Sequence, residues 1–456
     1  MVELSGKRVV VVGLGASGVA AAHLCIARGA KVTGTDSKPE VGLDALTRAS
    51  CEALTAAGAT MALGGHASAG LDTADLVVVS PGVPMFPELT SALARGVLVL
   101  GEVELAVRSL RREAHVVAVG GTNGKSTTTS LLGDILLASG LRAFVGGNLG
   151  EPLSAHADES WDVVVLEVSS FQMERAPTFK PRVSILLNIT DDHLDRYPDF
   201  EAYAHAKGNA FAQQSAEDLA VIPAGDASCE RQARRGNGRI VTFGRGGTLD
   251  VTDDAIVDRR TGETWLRSLL TIAGEHNAVN ASAAIASALE LGVSAGTIRK
   301  ALAAFRGLPH RMALVAELGG VRFYDDSKGT NVGASVTALR GLREPRAVLI
   351  AGGREKGGSY EPLVSALRDR GKAAILIGEA REAMARAIGD VVPVHAVASL
   401  GEAVRLSQTL ATAGDAVLLS PACSSYDMFT DYKHRGDEFV REVHGLVDVG
   451  AGSSPR

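Results

Sequence analysis

The segment 115–129 reads His-Val-Val-Ala-Val-Gly-Gly-Thr-Asn-Gly-Lys-Ser-Thr-Thr-Thr and joins an apolar run to a glycine-rich turn. The apolar run predicts a buried strand, and the residues from Lys125 onward predict a helix. The backbone N–H groups of such a turn cradle phosphates, while a lysine reaches the β- and γ-phosphates and a serine hydroxyl ligates Mg²⁺. Because Lys125 and Ser126 stand where this chemistry needs them, the segment predicts an α/β sheet that binds a nucleoside triphosphate.

The turn departs from the strict form of this phosphate-binding motif. The strict form has glycine five residues before Gly124, where this chain has Val119, and Gly120 and Gly121 follow one and two positions later. The structural alternative is a glycine-rich strand-to-helix turn with a surface lysine. The order of strand, Gly-Lys-Ser and helix favours the phosphate-binding interpretation.

Composition narrows the class of protein. A chain of 456 residues suits three domains of about 150 residues each. A hydrophobic content of 46%, 52 glycines and only 4% aromatic residues indicate an α/β enzyme with small side chains. The net charge of −6 and the lack of a long basic run predict neither nucleic acid nor a membrane as partner. We expect a monomer that binds small molecules.

The cysteines and the N-terminus predict the compartment. Cys25, Cys51, Cys229 and Cys423 are widely spaced and form no CxxC pair. The chain begins with a short polar stretch that leads into a strand, and no apolar run is long enough to span a bilayer. These features predict a reduced, cytoplasmic protein.

Alternating strand and helix patterns predict three α/β domains: an N-terminal Rossmann-like domain, a central P-loop ATPase-like domain with a mostly parallel sheet, and a C-terminal Rossmann-like domain. The predicted ranges are 1–112, 113–309 and 310–456. Predicted strands lie at 7–13, 31–35, 75–80, 96–100, 116–120, 162–167, 183–188, 347–351, 373–377 and 416–420. Predicted helices lie at 17–28, 102–112, 126–139 and 277–291, and a hairpin is predicted around 258–263. Pro309 disfavours helix before it and marks the second boundary.

A glycine fingerprint follows the first predicted strand. Gly13-Leu-Gly-Ala-Ser-Gly18 precedes a helix, and Asp36 ends the second strand. This pattern is typical of dinucleotide binding, in which glycines allow close approach of a pyrophosphate and the acid accepts a hydroxyl. A UDP-sugar presents the same groups as NAD, so the pattern leaves both ligands open, as well as a purely structural turn.

Further polar residues follow predicted strands. Glu167 could ligate the Mg²⁺ that Ser126 touches, or it could cap a helix. His193 could ligate a second metal or be a surface histidine. Lys207 is expected to be solvated unless it is deprotonated and modified, since an ammonium repels divalent cations. Lys356 and the nearby Lys328 lie on glycine-flanked loops and predict an anion site.

Together the motifs resemble the Mur ligases, which are ATP-dependent peptide ligases of bacterial peptidoglycan precursor synthesis. The motifs, in the family's order, are Gly121-Thr-Asn-Gly-Lys-Ser126, Gly274-Glu-His-Asn277, Leu308-Pro-His-Arg311 and Asp326-Ser-Lys-Gly-Thr-Asn331. Three others resemble the branch that adds D-glutamate: Glu167-Val-Ser-Ser-Phe-Gln172, Asp192-His-Leu-Asp-Arg-Tyr197 and Ser420-Pro-Ala-Cys-Ser-Ser-Tyr-Asp427. The N-terminal glycine fingerprint argues against the branch that adds diaminopimelate or lysine.

The resemblance implies a reaction and two kinds of cofactor. ATP would phosphorylate the alanyl carboxylate of UDP-N-acetylmuramoyl-L-alanine, and the amine of D-glutamate would attack the acyl phosphate to form an amide. Two Mg²⁺ ions would assist, one held by Ser126 and Glu167 and the other by His193 and a carbamylated Lys207. Lys125, His193 and Lys207 would be the catalytic residues.

The resemblance also assigns binding residues. Those for ATP are Gly121, Thr122, Asn123, Gly124, Lys125, Ser126, Thr127, Asn277, Arg311 and Asp326. Those for the UDP-sugar are Gly15, Ala16, Ser17, Asp36, Ser37, Ser80, Gly82 and Asn148. Those for D-glutamate are Thr330, Lys356, Ser425 and Tyr432. Two positions depart from many relatives: Tyr432 stands where some have Phe, and Ala313 where many have Glu.

Three alternatives stay open at this stage. The L-alanine-adding branch of the family also has an N-terminal glycine fingerprint. An NAD-dependent oxidoreductase would explain Gly13–Gly18 but would leave the phosphate turn without a role. A nucleotide-binding regulator without catalytic activity is the third alternative.

Overall fold

The structure, a computed structural model, describes residues 3–193, 196–272, 274–355 and 359–451, with side chains as far as residue 446. The chain divides into two compact units. The first comprises Met1–Ile189, Glu201–Leu269 and Asn280–Ala303, and the second comprises Thr190–Phe200, Leu270–Val279 and Ala304–Arg456.

The first unit begins with a parallel sheet. Its strands are β1 (Arg8–Val12), β2 (Lys31–Asp36), β3 (Thr60–Leu63), β4 (Leu76–Val79) and β5 (Leu98–Gly101), in the order β3-β2-β1-β4-β5. Its helices are α1 (Ala16–Ala27), α2 (Ala45–Ala56), α3 (Pro87–Ala94) and α4 (Glu102–Ser109). The chain order reverses between β1 and β4, and ligands of open α/β sheets bind at the carboxyl ends of strands at such a point.

The apolar run of β1 is explained by burial on both faces. Val9 and Val11 pack into one hydrophobic cluster, whereas Val10 and Val12 pack into another. A parallel sheet with both faces covered needs such continuous apolar strands. The predicted helix 102–112 is three residues too long, because α4 ends at Ser109.

The first unit also contains a larger sheet. Its strands are β6 (His115–Gly120), β7 (Ala143–Gly147), β8 (Val163–Glu167), β9 (Val183–Leu186), β10 (Leu219–Pro223), β11 (Arg239–Phe243), β12 (Leu249–Val251), β13 (Ala255–Asp258) and β14 (Thr264–Leu266). Their order is β14-β13-β12-β11-β10-β9-β6-β8-β7, and only the pairs β12–β13 and β13–β14 are antiparallel. The mostly parallel sheet and the hairpin around 258–263 are confirmed.

The helices that accompany this sheet are α5 (Lys125–Ala138), α6 (Ser170–Met173), α7 (Phe200–Gly208), α8 (Ala227–Ala233), α9 (Glu275–Glu290) and α10 (Ala295–Ala304). β6 lies between β8 and β9, where the chain order reverses. The turn that follows β6 therefore lies at the position where such sheets bind ligands.

Polar contacts join the two sheets' domains within the first unit. The backbone N–H of Ser154 donates to Oε1 of Glu102 (2.8 Å), and Arg28 bonds Oδ1 of Asp158 (2.7 Å). The backbone N–H of Gly101 also donates to the carbonyl of Arg175 (2.6 Å). Residues on α1, β5 and α4 thus bind the segments that follow β7 and α6.

The second unit contains a third sheet. Its strands are β15 (Ala313–Leu318), β16 (Val321–Asp325), β17 (Ala347–Gly352), β18 (Gly371–Ile377), β19 (Val394–Ala396) and β20 (Ala416–Leu419), in the order β15-β16-β20-β17-β18-β19. Only the pair β15–β16 is antiparallel. Its helices are α11 (Val332–Gly341), α12 (Glu361–Arg370), α13 (Arg381–Ile388), α14 (Leu400–Leu410) and α15 (Tyr432–Ala451). The α/β class with three mostly parallel sheets is confirmed.

Candidate active site

The glycine turn after β6 requires glycine at two positions. Gly121 has φ of +140° and Gly124 has φ of +86°, which glycine adopts readily. A Cβ on Gly124 would lie 2.4 Å from Oδ1 of Asn280, and one on Gly121 would lie 3.0 Å from Cβ of Leu187. Helix α5 begins immediately after the turn, at Lys125. The N-terminal end of the α5 dipole therefore lies at the turn, where it favours an anion.

Asn188, which follows β9, forms three hydrogen bonds with the turn. The N–H of Thr122 donates to the backbone carbonyl of Asn188 (3.0 Å), and the N–H of Asn123 donates to its Oδ1 (2.9 Å). Nδ2 of Asn188 returns a hydrogen bond to the carbonyl of Asn123 (3.1 Å). No role is predicted for Asn188 from the sequence, although a polar residue directly after a buried strand can indicate one. Lys125 completes the turn, since its Nζ donates to the carbonyl of Thr122 (2.8 Å).

Ser126 and Glu167 provide oxygen donors on neighbouring elements. β6 pairs with β8 so that Val119 lies opposite Glu167, and Ser126 lies in the first turn of α5. Both Ser126 and Glu167 are buried, and Nδ2 of Asn148 donates to Oε1 of Glu167 (2.7 Å). The backbone N–H of Asn148 also donates to the carbonyl of Glu167 (2.9 Å). A hydroxyl and a carboxylate are ligands that Mg²⁺ prefers, so these residues fit a magnesium ion.

Lys207 lies behind the phosphate turn. Its side chain is buried, and its Nζ donates to the carbonyl of Gly121 (2.8 Å). The Nζ also lies 4.6 Å from the ring centroid of Tyr203, whose hydroxyl bonds Oγ1 of Thr122 (3.2 Å). The expectation of a solvated helix lysine is therefore wrong. Its burial beside the turn is what a lysine with a role in the site requires.

The N-terminal glycine fingerprint forms a tight turn after β1. A Cβ on Gly18 would lie 1.9 Å from the carbonyl oxygen of Gly13, and Gly13 itself has φ of +83°. Oγ of Ser80 donates to the same carbonyl (2.7 Å) across the point where the strand order reverses. Gly82 lies in the next turn with φ of +85°. Ser80, which follows β4, thus closes the turn through its hydroxyl group.

Asp36 is engaged by the backbone. Its Oδ2 accepts from the N–H of Leu14 (3.0 Å) and its Oδ1 from the N–H of Lys38 (3.0 Å). The carboxylate therefore orders the glycine turn in addition to any ligand it contacts. Of the other residues expected to bind the UDP-sugar, Gly15, Ala16 and Ser37 are exposed and Ser17 is half-buried.

His193 belongs to the second unit. Its backbone has φ of +56°, which is uncommon for a residue other than glycine. Its N–H donates to Oδ1 of Asp192 (3.1 Å), and its Nε2 lies 3.7 Å from Oδ2. Nδ2 of Asn331 also donates to Oδ2 of Asp192 (3.3 Å), which brings the segment of His193 next to the loop after β16.

The charge of Arg311 acts to lower the pKa of two groups in the second unit, His276 and Asp326. Burial lowers the pKa of His276, and the positive charge of Arg311 lowers it further. Burial raises the pKa of Asp326 to about 7, although a hydrogen bond from Ser420 and the charge of Arg311 oppose this rise. Oγ of Ser420 donates to Oδ2 of Asp326 (2.7 Å). Asn277, next to His276 in the chain, is also buried.

His310 ties the segment of Arg311 to the third sheet. Its Nδ1 bonds Oδ2 of Asp325 (2.6 Å), and its carbonyl accepts from the N–H of Lys328 (3.1 Å). The Nζ of Lys328 lies 3.8 Å from the ring centroid of Tyr432. The sequence did not predict the pairing of His310 with Asp325, because the two residues are separated by strand β15 and a turn.

Three of the residues expected to bind D-glutamate lie in the second unit, within the described part of the chain. The N–H of Thr330 donates to the carbonyl of Lys328 (2.8 Å), Ser425 is buried, and Tyr432 begins α15. Lys356 lies outside the described residues. The backbone of Arg354, which is described, exchanges two hydrogen bonds with Ser424 (2.9 and 3.1 Å).

Arg435 is a further buried residue that the sequence did not single out. Its guanidinium donates to the Ser327 hydroxyl (3.0 Å), the Ser327 carbonyl (2.8 Å) and the Cys423 carbonyl (3.3 Å). Burial lowers its pKa to about 10. Arg435 therefore joins the loop of Asp326 to that of Ser425.

Among the described residues, no group of three or more His, Cys, Asp or Glu side chains could hold a metal ion. No helix in the same part of the chain is long and apolar enough to cross a membrane. All four cysteines are buried and form no disulfide.

Three family models match this chain. They describe a Mur ligase MurD-like N-terminal domain (residues 7–101), a Mur ligase middle domain (119–288) and a Mur ligase glutamate ligase domain (310–423). The glycine turn after β6 lies on the second of the three α/β sheets, and each sheet is matched by a Mur ligase domain. The fold is thus that of an ATP-dependent ligase. The chain belongs to the Mur ligase family.

Two relatives are similar over nearly the full length. The chain is 44% identical to a UDP-N-acetylmuramoylalanine--D-glutamate ligase of Desulfosudis oleivorans, over 98% of each chain. It is also 44% identical to a protein of the same name from Geotalea uraniireducens, over 99% of this chain and 100% of the relative. Among solved structures, the MurF ligase of Thermotoga maritima in complex with ADP has a TM-score of 0.63 at 16% identity, covering 99% of this chain and 100% of that one. This last likeness concerns the fold.

Proposed function

We propose that this chain is an ATP-dependent ligase that adds D-glutamate to UDP-N-acetylmuramoyl-L-alanine in peptidoglycan precursor synthesis. The observation that carries the proposal is the similarity, over nearly the whole chain, to relatives named for this reaction. The phosphate turn after β6 supports the use of ATP. The alternatives are less well supported, since an oxidoreductase would leave that turn without a role.

Each of the three domains binds a different substrate. Residues 1–112 bind the UDP-sugar, residues 113–309 bind ATP, and residues 310–456 bind D-glutamate. For the UDP-sugar, the glycine turn and the α1 N-terminus receive the pyrophosphate, and the residues involved are Gly15, Ala16, Ser17, Asp36, Ser37, Ser80, Gly82 and Asn148. For D-glutamate, Lys356 receives a carboxylate beside Thr330, Ser425 and Tyr432. The enzyme acts as a cytoplasmic monomer on these small molecules.

The chain's own groups position the phosphoryl group. The N–H groups of the Gly121–Thr127 segment bind the phosphates, and Lys125 neutralises charge on the γ-phosphoryl group as it moves to the alanyl carboxylate. Asn277, Arg311 and Asp326 contact the nucleotide. Attack by the amine of D-glutamate on the resulting acyl phosphate expels phosphate and leaves the amide.

Four side chains would hold two magnesium ions. Ser126 and Glu167 fit the first ion, as their oxygen donors lie on adjacent elements. His193 and a carbamylated Lys207 would hold the second, because carbamylation would turn the buried amine into a carboxylate-like ligand. When bound, Mg²⁺ neutralises charge on the transferred phosphoryl group.

Phosphate release with defined substrates tests the proposal. ATP is supplied with UDP-N-acetylmuramate or its L-alanyl derivative as acceptor, and with D-glutamate, L-glutamate or L-alanine as amine. We expect release only with the L-alanyl acceptor and D-glutamate together. Release with UDP-N-acetylmuramate and L-alanine would instead identify the L-alanine-adding activity.

A further inference from the structure

A histidine outside the residues assigned above bridges two carboxylates. Nε2 of His156 bonds Oε2 of Glu151 (2.5 Å), and its Nδ1 bonds Oε1 of Glu159 (2.7 Å). His156 ends a short 3-10 helix, Leu153–His156, in the connection between β7 and β8. Neither carboxylate is buried, whereas only 26% of the histidine side chain is exposed.

The histidine is held by aromatic neighbours. The His156 ring lies 5.2 Å from the Phe144 ring on β7, and Nε1 of Trp161 donates to the carbonyl of His156 (3.2 Å). Arg142 lies over the Trp161 ring at 5.9 Å. The imidazole therefore has a fixed position from which its two nitrogens reach the two glutamates.

Glu151 closes the turn that carries Asn148. Its carbonyl accepts from the N–H of Gly147 (2.9 Å), and Gly147 and Gly150 have φ of +96° and +66°. Asn148 in turn bonds Glu167 through both its backbone and its side chain. The side chain of Glu151 is thus fixed by His156 at one end of this turn, while Asn148 contacts Glu167 from within it.

We propose that His156 is a positioning residue for the acceptor site, and that it acts by holding Glu151 and thereby the turn in which Asn148 contacts Glu167. This inference rests on the proposed function, because it assigns Asn148 to the UDP-sugar. The same connection docks the N-terminal sheet's domain, since Ser154 bonds Glu102 and Asp158 bonds Arg28. Displacement of the connection therefore weakens acceptor binding more than binding of D-glutamate.

The charge of the imidazole makes this bridge depend on pH. The hydrogen bond with Glu159 does most to raise the pKa of His156, burial opposes the rise, and Glu151 adds to it. Only the protonated ring donates to both carboxylates at once. The bridge is therefore complete at low pH and is lost as the pH rises through the raised pKa.

The chain offers matched variants for the test. His156→Gln removes the imidazole charge. Glu151→Gln breaks the ion pair between His156 and the turn of Asn148, and Glu159→Gln breaks only the ion pair of His156 with Glu159, which lies outside that turn. Calorimetric titration of UDP-N-acetylmuramoyl-L-alanine without ATP gives the acceptor Kd apart from turnover. We expect His156→Gln, which breaks two partly exposed ion pairs, to raise this Kd about three- to tenfold. Glu151→Gln breaks one pair and is expected to raise it about two- to fivefold, and Glu159→Gln is expected to change it less.

Two further measurements complete the test. In the wild type the acceptor Kd should rise with pH through the imidazole pKa, measured by NMR, and His156→Gln should remove that rise, while the KM for D-glutamate stays constant. Equal acceptor Kd values for His156→Gln and the wild type at all pH values would overturn the inference. Failure of the proposed function is distinguishable, because the wild type itself would then release no phosphate in response to D-glutamate.

Discussion

Two ionisable side chains of this protein, Lys207 and Asp326, are buried, and their burial costs free energy. Lys207 is a buried lysine, and Asp326 is a buried carboxyl group that accepts a hydrogen bond from Ser420. Burial of ionisable groups persists where neighbouring groups compensate or where function needs it. Both residues are assigned to the reaction, so their substitution is expected to affect activity as well as stability.

Lys125→Ala is expected to abolish turnover without unfolding the protein. The half-buried lysine donates a hydrogen bond to the carbonyl of Thr122, and its proposed role is to neutralise the transferring phosphoryl group. We expect kcat to fall by at least about 10²-fold, as measured by phosphate release. Lys180→Ala, which removes a half-exposed lysine elsewhere, is the control. Wild-type kcat in Lys125→Ala would contradict the assignment.

Lys207→Ala is expected to lose nearly all activity, and added short-chain carboxylic acids are expected to restore part of it. A small carboxylate can occupy the space of the carbamate, and no such rescue is possible in Lys207→Arg, whose guanidinium fills that space. The measurement is phosphate release with and without formate or acetate. A Lys207→Ala variant with the wild-type rate would refute the carbamate.

Asp326→Asn is expected to change how stability depends on pH. Because the folded-state pKa is raised to about 7, the wild-type carboxyl favours folding at low pH, and this contribution is lost as pH rises from about 4 to 7. Relative to the wild type, the variant should therefore gain stability on the order of 2 kcal/mol between pH 5 and pH 8. Urea unfolding followed by circular dichroism measures this difference. A constant difference across this range would contradict it.

At the scale of elements, continuous apolar runs were predictable and short mixed strands were not. β1, β6, β8 and β17 are buried on both faces and have apolar sequences that show it. β3, β7, β15 and β19 escaped prediction. Each lies at an edge of its sheet and is only partly buried, so its sequence lacks the continuous apolar run of a central strand.

The candidate site was also predictable only in part from the sequence. Gly124, Lys125 and Ser126 were predictable because the turn chemistry is local. The hydrogen bonds of Asn188 with the turn and the pairing of His310 with Asp325 depend on which loops the sheets bring together, and a single sequence does not record that. The assignments taken from the family resemblance stay predictions until they are tested by substitution.

The glycine turn after β1 gives a prediction at this scale. Gly18→Ala places a Cβ 1.9 Å from the carbonyl oxygen of Gly13, whereas Gly15→Ala meets no atom within 4 Å. Because a backbone atom cannot move aside cheaply, we expect Gly18→Ala to destabilise the protein by at least about 2 kcal/mol and Gly15→Ala to change stability by less than about 0.5 kcal/mol. Calorimetric unfolding compares them, and equal effects would contradict the packing argument.

At the scale of the whole molecule, we propose that loops on three α/β sheets bind the substrates of one reaction. The carboxyl ends of β1, β6 and β16 lead into the glycine fingerprint, the phosphate turn and the loop of Asp326. Open sheets bind ligands at these ends. One family architecture thus explains why the motifs follow strands at all three places.

The most direct test of the central claim is a single measurement of product and phosphate. The protein is incubated with ATP, Mg²⁺, UDP-N-acetylmuramoyl-L-alanine and either D- or L-glutamate, and mass spectrometry follows the acceptor. With D-glutamate, we expect the acceptor to gain one glutamyl residue for each phosphate released, and no such product with L-glutamate. Phosphate release without the glutamylated product, or with equal product from both enantiomers, would contradict the account.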